Sequence, residues 1–581
     1  IIGQENKSNR LAVIVSALSG VTDLLLSASK KAALKDSDYK IIFEEIKNKH
    51  TQAIEELIDK NNQTEIFEAI NNNLNQLKTL LDGCFLLGEL SPRTNDAVAG
   101  FGELLSSQII AKALSQNIPN ATYKDSRQLI KTNSNFGKAA VNFEITNNLI
   151  KNYFDTTNFD VVLLPGFIAS SIDGNTTTLG RGGSDYSAAI IANGVQANEL
   201  EIWTDVSGMF TANPKIVKQA QPIESISYQE AMELSHFGAK VLYPPTIQPV
   251  LKSNIPIWIK NTFEPEAYGT LISNNQDQNP NPIKGISHID KIALLTLEGS
   301  GMIGVSGSSK RLFEVLSQND INVIFITQAS SEHSICIGIQ NQDADLAKQA
   351  IDATFEIEIS QNKIEPTFVE KDLCIVALVG ENMKNHQGLS GKMFSTLGKN
   401  NVNIRAIAQG ASERNISIVI NEKDVKKALN TLHERFFEEN TKQLNLFVMG
   451  VGNVGEKFID QINQQKKFLK ENLKINLRTI ALANSKKMVF NDDGLQLSNW
   501  KSTLESGENA NVATFISKAK ELNLRNSIFV DITANSDIAA IYDQFLKQNI
   551  AVVTCNKIAC SSKYENYKNL KNLSRKYNAP F

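Results

Sequence analysis

The sequence predicts an α/β protein built in three consecutive parts, and three observations carry that expectation. Apolar runs of strand length alternate with amphipathic helical stretches over about the first 270 residues. A block starting at Phe313 recurs 81 residues later. Near residue 450 a strand-like run passes through Gly450-Val-Gly452-Asn-Val-Gly455 into an amphipathic helix. With 581 residues the chain is too long for one core, which agrees with several domains.

In the first part, the apolar runs 12–15, 161–164 and 255–259 read as strands, and 106–114 reads as a helix. Residues 273–282 are polar, contain two prolines and lack any hydrophobic period, so a linker and domain boundary are expected at 273–284. In the second part, Phe313, Leu316, Asn319, Asn322, Gln328, Ser331 and Glu332 coincide with Phe394, Leu397, Asn400, Asn403, Gln409, Ser412 and Glu413 without a gap. Two copies are too few for a solenoid, so a side-by-side pair of small α/β units is expected. In the third part, strands at 444–449, 477–482, 527–531 and 550–554, with a helix at 456–464 after the glycine turn, read as a doubly wound unit.

Composition narrows the partners. A net charge of −3 supplies no basic field, so nucleic acid and anionic membrane surfaces gain no support. The apolar runs fall well short of the roughly 20 residues that a bilayer span needs. Five cysteines without C-x-x-C, and six scattered histidines, give no metal spacing and point to a reducing, cytoplasmic setting. The chain opens on Ile1 without an initiator Met or a signal-peptide pattern, its first residues read as the tail of a helix, and it stops where a further strand could begin. A slice of a longer polypeptide is expected.

Chemistry concentrates first in Gly180-Arg-Gly-Gly-Ser-Asp185, which precedes a helix expected from Ser184 or Asp185. Glycines let backbone N–H groups approach an anion, the helix N-terminus favours negative charge, and Arg181 can grip a carboxylate or phosphate with two parallel hydrogen bonds. Together with Val15-Ser-Ala-Leu-Ser-Gly-Val-Thr22, Phe101-Gly-Glu103, Trp203-Thr-Asp-Val-Ser-Gly208 and Phe237-Gly-Ala-Lys240, this loop resembles the aspartokinase family, of the amino-acid kinase fold. The resemblance implies that Arg181 and Ser184 bind a substrate carboxylate region, Glu103 pairs with its ammonium group, Thr22 hydrogen-bonds it, and Asp185 orients the reacting groups. It further implies that Thr204, Asp205, Phe210, Lys215 and Lys240 contact ATP, with Mg2+ accompanying the nucleotide. Phe210 and Lys215 stand where that family commonly has Tyr and Arg, and the family's Lys-Phe-Gly-Gly motif would lie before Ile1.

The duplicated block resembles the ACT domain, a βαββαβ module that pairs and binds an amino acid. Gln328 and Gln409 match effector-contacting glutamines; their other reading is to satisfy backbone groups at strand ends. In the third part, no Asp or Glu follows the second strand, where a ribose 2′-hydroxyl would be bound. Lys486 and Lys487 suit a 2′-phosphate there, or are two solvated lysines. Val448-Met-Gly-Val-Gly-Asn-Val-Gly455, Ala483-Asn-Ser485, Val530-Asp-Ile-Thr533 and Val553-Thr-Cys-Asn-Lys557 resemble the cofactor half of homoserine dehydrogenase, a Rossmann-type dinucleotide-binding domain. That resemblance implies a cofactor site of Gly450, Val451, Gly452, Asn453, Val454, Gly455, Ala483, Ser485, Lys486, Thr533, Ala534 and Lys557. Lys557 would stabilise oxygen charge near the nicotinamide, while the catalytic half would follow Phe581. Cys555 and Ile558 replace a proline and a lysine of the family motif.

The order of parts resembles the bifunctional aspartokinase/homoserine dehydrogenase family. Expected domains are 1–273 (kinase), 284–365 and 366–441 (ACT) and 442–581 (incomplete dinucleotide domain). The implied activities are ATP-dependent phosphorylation of L-aspartate and NADP(H)-dependent interconversion of aspartate semialdehyde and homoserine, within aspartate-family amino-acid biosynthesis. An amino-acid effector, usually threonine in the fused family, and a homo-oligomer through the ACT domains are implied too. A second reading, from another class, is an amino-acid-binding, oligomer-forming module with impaired catalysis.

Overall fold

Continuous apolar runs make strands that can be buried on both faces, and the first part is organised around one. In the computed structural model, which describes residues 2, 10–238, 241–274, 281–303, 307–328, 333–384, 386–438 and 442–581, strands β1 (Leu11–Val15), β2 (Ala121–Tyr123) and β3 (Val161–Pro165) form a parallel sheet ordered β1-β3-β2. Central β3, with sequence VVLLP, is buried throughout. The chain groups into two units, Ile1–Met209 with Pro222–Gln278, and Phe210–Gln221 with Asn279–Phe581.

Helices α1 (Val21–Ala33), α2 (Tyr39–Leu57), α3 (Gln63–Leu87), α4 (Pro92–Ala99) and α5 (Phe101–Ser115) share one apolar core in the first unit. In α3 the buried side chains Ile66, Ile70, Leu74, Leu77, Leu81 and Cys84 recur every three or four residues, one stripe of a helix. The helix ends at Gly88, whose φ of 70° closes it as a left-handed cap. Ser91 caps α4 by accepting from the Thr94 N–H at 3.2 Å, with Pro92 at the first helical position. Truncating fully buried Leu77 to Ala would cost about 2–5 kcal/mol. Helix α6 (Gly183–Val195) follows the glycine-rich loop, and strands β4 (Leu200–Thr204), β5 (Ser225–Ile226), β6 (Ile257–Asn261) and β7 (Thr270–Ile272) form a second sheet ordered β4-β6-β7-β5. The strand expected at 255–259 starts two residues later, after Pro256, which has no N–H for a ladder.

In the second unit the repeat is a backbone repeat. Left-handed residues Lys291, Gly307 and Asp320 recur as Asp372, Gly388 and Asn401, again 81 residues apart. Strand β8 (Gly285–Glu298) leads to α7 (Ser308–Gln318), β9 (Phe325–Gln328), β10 (Ser334–Gln340) and α8 (Ala344–Thr354). Strand β11 (Phe368–Val379) leads in the same way to α9 (Leu389–Lys399), β12 (Ile404–Ala408), β13 (Asn415–Asn421) and α10 (Val425–Phe437). One sheet, ordered β9-β10-β8-β11-β13-β12, holds both copies, because long strands β8 and β11 each run through the two. Its edge strands β9 and β12 approach to within 8 Å between Cα atoms.

The third part follows with β14 (Lys442–Met449), α11 (Asn453–Asn472), β15 (Ile475–Ala483), β16 (Lys487–Phe490), β17 (Glu508–Asn509), α12 (Val512–Leu522), β18 (Ser527–Asp531), α13 (Tyr542–Leu546), β19 (Ala551–Thr554) and α14 (Tyr564–Lys576). The sheet order is β17-β16-β15-β14-β18-β19, parallel from β15 to β19 with an antiparallel edge. Phe529 and Phe545 stack at 4.0 Å in its core. Arg525, almost fully buried, joins this part to α10 through an ion pair with Glu434 at 2.9 Å.

Candidate functional site

Two helix N-termini converge in the first unit. Gly20 (φ 78°) precedes α1 and Gly182 (φ 67°) precedes α6. Between them lies a cavity of about 460 Å³, lined by residues 16–20, Thr22, Asp23, Glu103, Phe167 and residues 180–185. Unpaired N–H groups and aligned peptide dipoles at both helix starts favour an anionic ligand. Arg181, exposed at the rim, adds a cation. A shallower depression along α2 offers only that helix's own side chains, from Lys40 to Gln52, and no converging groups.

Two acids face this cavity, Glu103 buried and Asp185 half-buried. Glu103, in the first turn of α5, is 4% exposed; one carboxyl oxygen accepts the Ala17 N–H at 3.3 Å and the other has no partner. Burial pushes its carboxyl up to about 7. Burial likewise pushes Asp185 up to about 6. An acid with one orphaned buried oxygen is a ready acceptor for a ligand's ammonium group.

The structure therefore brings Thr22, Glu103, Arg181, Ser184 and Asp185 together. It does not place Thr204 or Asp205 in the cavity wall: Thr204 ends β4 and its hydroxyl donates to Asp205 at 3.2 Å. Phe210 and Lys215 lie on the 210–221 segment, which groups with the second unit, where Ala212 and Val217 enter a core with residues of β11 and α10. Sequence proximity to Asp205 did not reveal that change of partner. Lys240 lies outside the described residues. The glycines also have a reason the sequence did not show. A Cβ on Gly182 would sit 2.6 Å from Tyr243, and one on Gly183 would sit 2.6 Å from the Phe167 ring. Phe167 itself, a wall residue missed in the sequence, holds a left-handed φ of 65°. No local signal marks it, since a Pro-Gly-Phe run fits any turn.

The second candidate site is the turn after β14. Gly450 has φ 99°, donates its N–H to the Ala483 carbonyl at 2.9 Å, and a Cβ there would lie 2.6 Å from Ile532 backbone. A Cβ on Gly455 would lie 2.0 Å from the Gly450 oxygen, so α11 can dock only with glycine there. Gly452 differs: φ is −74° and a Cβ would meet nothing within 4 Å, leaving open space above the backbone. Open space over a helix N-terminus is what a pyrophosphate needs, so these residues fit a dinucleotide. Val451, Asn453 and Val454 continue the turn, with Val454 exposed. Ala483 ends β15; Ser485 and Lys486 are exposed beyond it, on a turn in which the Asn484 side-chain oxygen accepts the N–H groups of Lys486 and Lys487 at 2.7 Å each. The Lys487 ammonium donates to the Gly507 carbonyl at 3.0 Å, which turns one of its three donors away from the Gly450 turn. Thr533 packs against Gly450, and exposed Ala534 and Lys557 follow β18 and β19 at the same sheet end.

Gln328 and Gln409 are exposed at the ends of the approaching edge strands β9 and β12, and the Ser390 hydroxyl donates to Gln409 at 3.4 Å. Among the described residues, no cluster of three His, Cys, Asp or Glu side chains is arranged for a metal ion. No described helix is long and apolar enough to cross a membrane.

Known proteins share this layout. Residues 1–261 match the amino acid kinase family, 295–355 and 376–436 the ACT domain, and 450–580 the NAD-binding domain of homoserine dehydrogenase. The chain is 36% identical over 582 residues to a chloroplastic bifunctional aspartokinase/homoserine dehydrogenase 1 of Arabidopsis thaliana, covering 98% of this chain and 64% of that protein. It is 35% identical to the bifunctional aspartokinase/homoserine dehydrogenase of Haemophilus influenzae, covering 98% and 70%. Among solved structures, E. coli aspartokinase III in complex with aspartate and ADP superposes with a TM-score of 0.64 at 29% identity, over 75% of this chain and 96% of that one. This chain thus spans about two thirds of the length of the bifunctional relatives.

Proposed function

The chain belongs to the bifunctional aspartokinase/homoserine dehydrogenase family, and on that premise we propose that its first unit phosphorylates L-aspartate with ATP while its third part binds NADP(H) for the interconversion of aspartate semialdehyde and homoserine. One observation carries the kinase reading: a buried acid with an orphaned oxygen, Glu103, shares a cavity with Arg181 and two helix N-termini. Aspartate carries an ammonium group and two carboxylates, and this cavity offers a partner to each sign of charge. Arg181 and Ser184 take a carboxylate, Glu103 takes the ammonium, and Thr22 adds a hydroxyl. Asp185, held by the first turn of α6, orients the carboxylate that receives the phosphoryl group. Positioning and charge neutralisation are most of what phosphoryl transfer asks of a protein. Thr204, Asp205, Phe210, Lys215 and Lys240 are the proposed nucleotide contacts. Mg2+ brought with the nucleotide would supply charge neutralisation at its phosphates.

In the third part, the Gly450 turn takes the pyrophosphate, and Ser485 and Lys486 the 2′-phosphate end. Lys557, with Thr533 and Ala534, faces the nicotinamide end. Bound NADP(H) supplies hydride transfer. The ACT pair is proposed to bind an amino-acid effector, threonine, at Gln328 and Gln409 and to join copies of the chain. The relative in E. coli whose name records lysine sensitivity supports an amino acid as the effector class. The five free cysteines suit a reducing location, the cytoplasm. Domain limits of 1–273, 284–365, 366–441 and 442–581 accompany this proposal.

Calorimetric titration of L-aspartate, paired with aspartate-dependent ADP release, tests the kinase assignment. Binding that disappears in Glu103→Ala is the expected result; unchanged binding in that variant would reject the site. Gln328→Ala or Gln409→Ala should weaken inhibition by threonine about 5- to 150-fold while uninhibited turnover stays the same.

A further inference from the structure

The third part carries a buried polar cluster that the cofactor contacts above do not use. Asp531, the last residue of β18, is fully buried, and among the described residues no Lys or Arg pairs with it. Neutral donors satisfy it instead. One carboxyl oxygen accepts the Thr533 N–H at 2.7 Å; the other accepts the Tyr542 hydroxyl and the Asn556 side-chain amide, the latter at 3.2 Å. Tyr542, fully buried on α13, also meets the Thr554 hydroxyl at 2.8 Å. Asn556 donates to the Asn535 carbonyl at 2.9 Å, and its oxygen accepts the Ile558 N–H at 3.1 Å.

One carboxyl therefore ties two loops together, residues 532–535 after β18 and residues 555–558 after β19. Both emerge at the sheet end where Gly450 packs on Ile532 and Thr533. The exposed Lys557 sits between Asn556 and Ile558, each bonded within the cluster. A carboxylate suits this hub because its two oxygens are both acceptors, whereas an amide would offer one acceptor and turn an N–H toward a donor. A buried acid without a cation is costly to maintain, so its gain is sought in what it holds in place.

Resting on the dinucleotide reading of this part, we infer that Asp531, with Tyr542 and Asn556, is a positioning residue for the cofactor: it sets Thr533 and Lys557 against the Gly450 turn before the ligand arrives. The fixed loops lose little freedom on binding, and affinity is gained through that pre-organisation.

A double-mutant cycle on the chain as it stands tests this, with NADPH fluorescence as the readout. Tyr542→Phe keeps the ring and removes one donor, and should weaken NADPH binding about tenfold. In a Lys557→Ala background the same change should cost several-fold less, because one of the two groups being positioned is gone. A purely structural cluster would give the same loss in both backgrounds, and that result, or no loss in either, overturns the inference. Where Tyr542→Phe does not fold, Asn556→Ala carries the cycle under the same criterion. A wild-type chain that binds no NADPH overturns the dinucleotide reading and this inference with it, an outcome distinct from additivity among variants that bind.

Discussion

The kinase-type and dinucleotide-type sites both place a glycine-rich turn at a helix N-terminus, yet their glycines answer to different constraints. In the kinase-type loop, Gly182 and Gly183 are packed against Tyr243 and Phe167, so space on the protein side demands them. In the dinucleotide-type turn the two roles are divided: Gly450 and Gly455 are demanded by close packing, and Gly452 faces open space. The acids differ as well. The first site holds a buried Glu103 and a half-buried Asp185 beside its cavity, and desolvation raises both. The second offers a proposed dinucleotide the backbone of its turn and uncharged side chains, with lysines at the edges. A zwitterion needs charged partners of both signs, whereas a pyrophosphate is served by N–H groups and a helix dipole.

The largest expected effect separates the two kinds of glycine within one turn. Gly455→Val should destabilise the third part by several kcal/mol, since its Cβ would sit 2.0 Å from a carbonyl oxygen. Gly452→Val should leave the melting temperature unchanged and abolish NADPH binding in a fluorescence titration. Equal melting temperatures for both variants would erase the distinction.

Next comes Arg181→Ala, which removes a charged hydrogen-bond donor from the cavity rim. Losing a charge-assisted contact costs about 1.5–3 kcal/mol, or roughly 10- to 150-fold in aspartate affinity. Calorimetry checks it, and NADPH binding in the same protein should stay unchanged.

Buried Glu103 gives the kinase-type site a pH signature. Glu103 titrates near 7 in the folded chain against an ordinary 4.5, so between those values the folded state holds more protons than the unfolded. Stability therefore falls as pH rises through that window. Glu103→Gln removes the penalty, and its stability advantage should be absent below pH 4.5, grow toward pH 7 and then level off at roughly 3 kcal/mol. Melting temperatures from pH 4 to 8 test this. Aspartate affinity should rise over the same range, as Glu103 ionises to meet the ammonium group.

The smallest effect distinguishes two adjacent lysines. Lys486→Ala should weaken NADPH about 2- to 10-fold without affecting NADH. Lys487→Ala should change the preference little, because its ammonium is already bonded to Gly507.

Much of the fold was legible in the sequence, for a physical reason. Strand alternation, the 81-residue repeat and the glycine turns are local patterns, each readable within a few dozen residues. The repeat even reproduces the backbone's left-handed positions, since Asp320 and Asn401 occupy equivalent turns. Arg181 could be named because an arginine among glycines ahead of a helix suits an anion, whereas Glu103 and Asp185 are named through the resemblance of their motifs to the aspartokinase family. What tertiary structure alone decided is which neighbour each residue meets. Nothing local tells that Phe210 and Lys215 ride on a segment packed with β11 and α10, or that Lys487 donates to the Gly507 carbonyl. Phe167 took its strained place in the wall, and Asp531 gathered two loops, through contacts formed only when distant parts of the chain pack. Burial, and with it the raised carboxyls of Glu103 and Asp185, belongs to that same packing: the desolvation that shifts an acid is set by atoms far away in sequence.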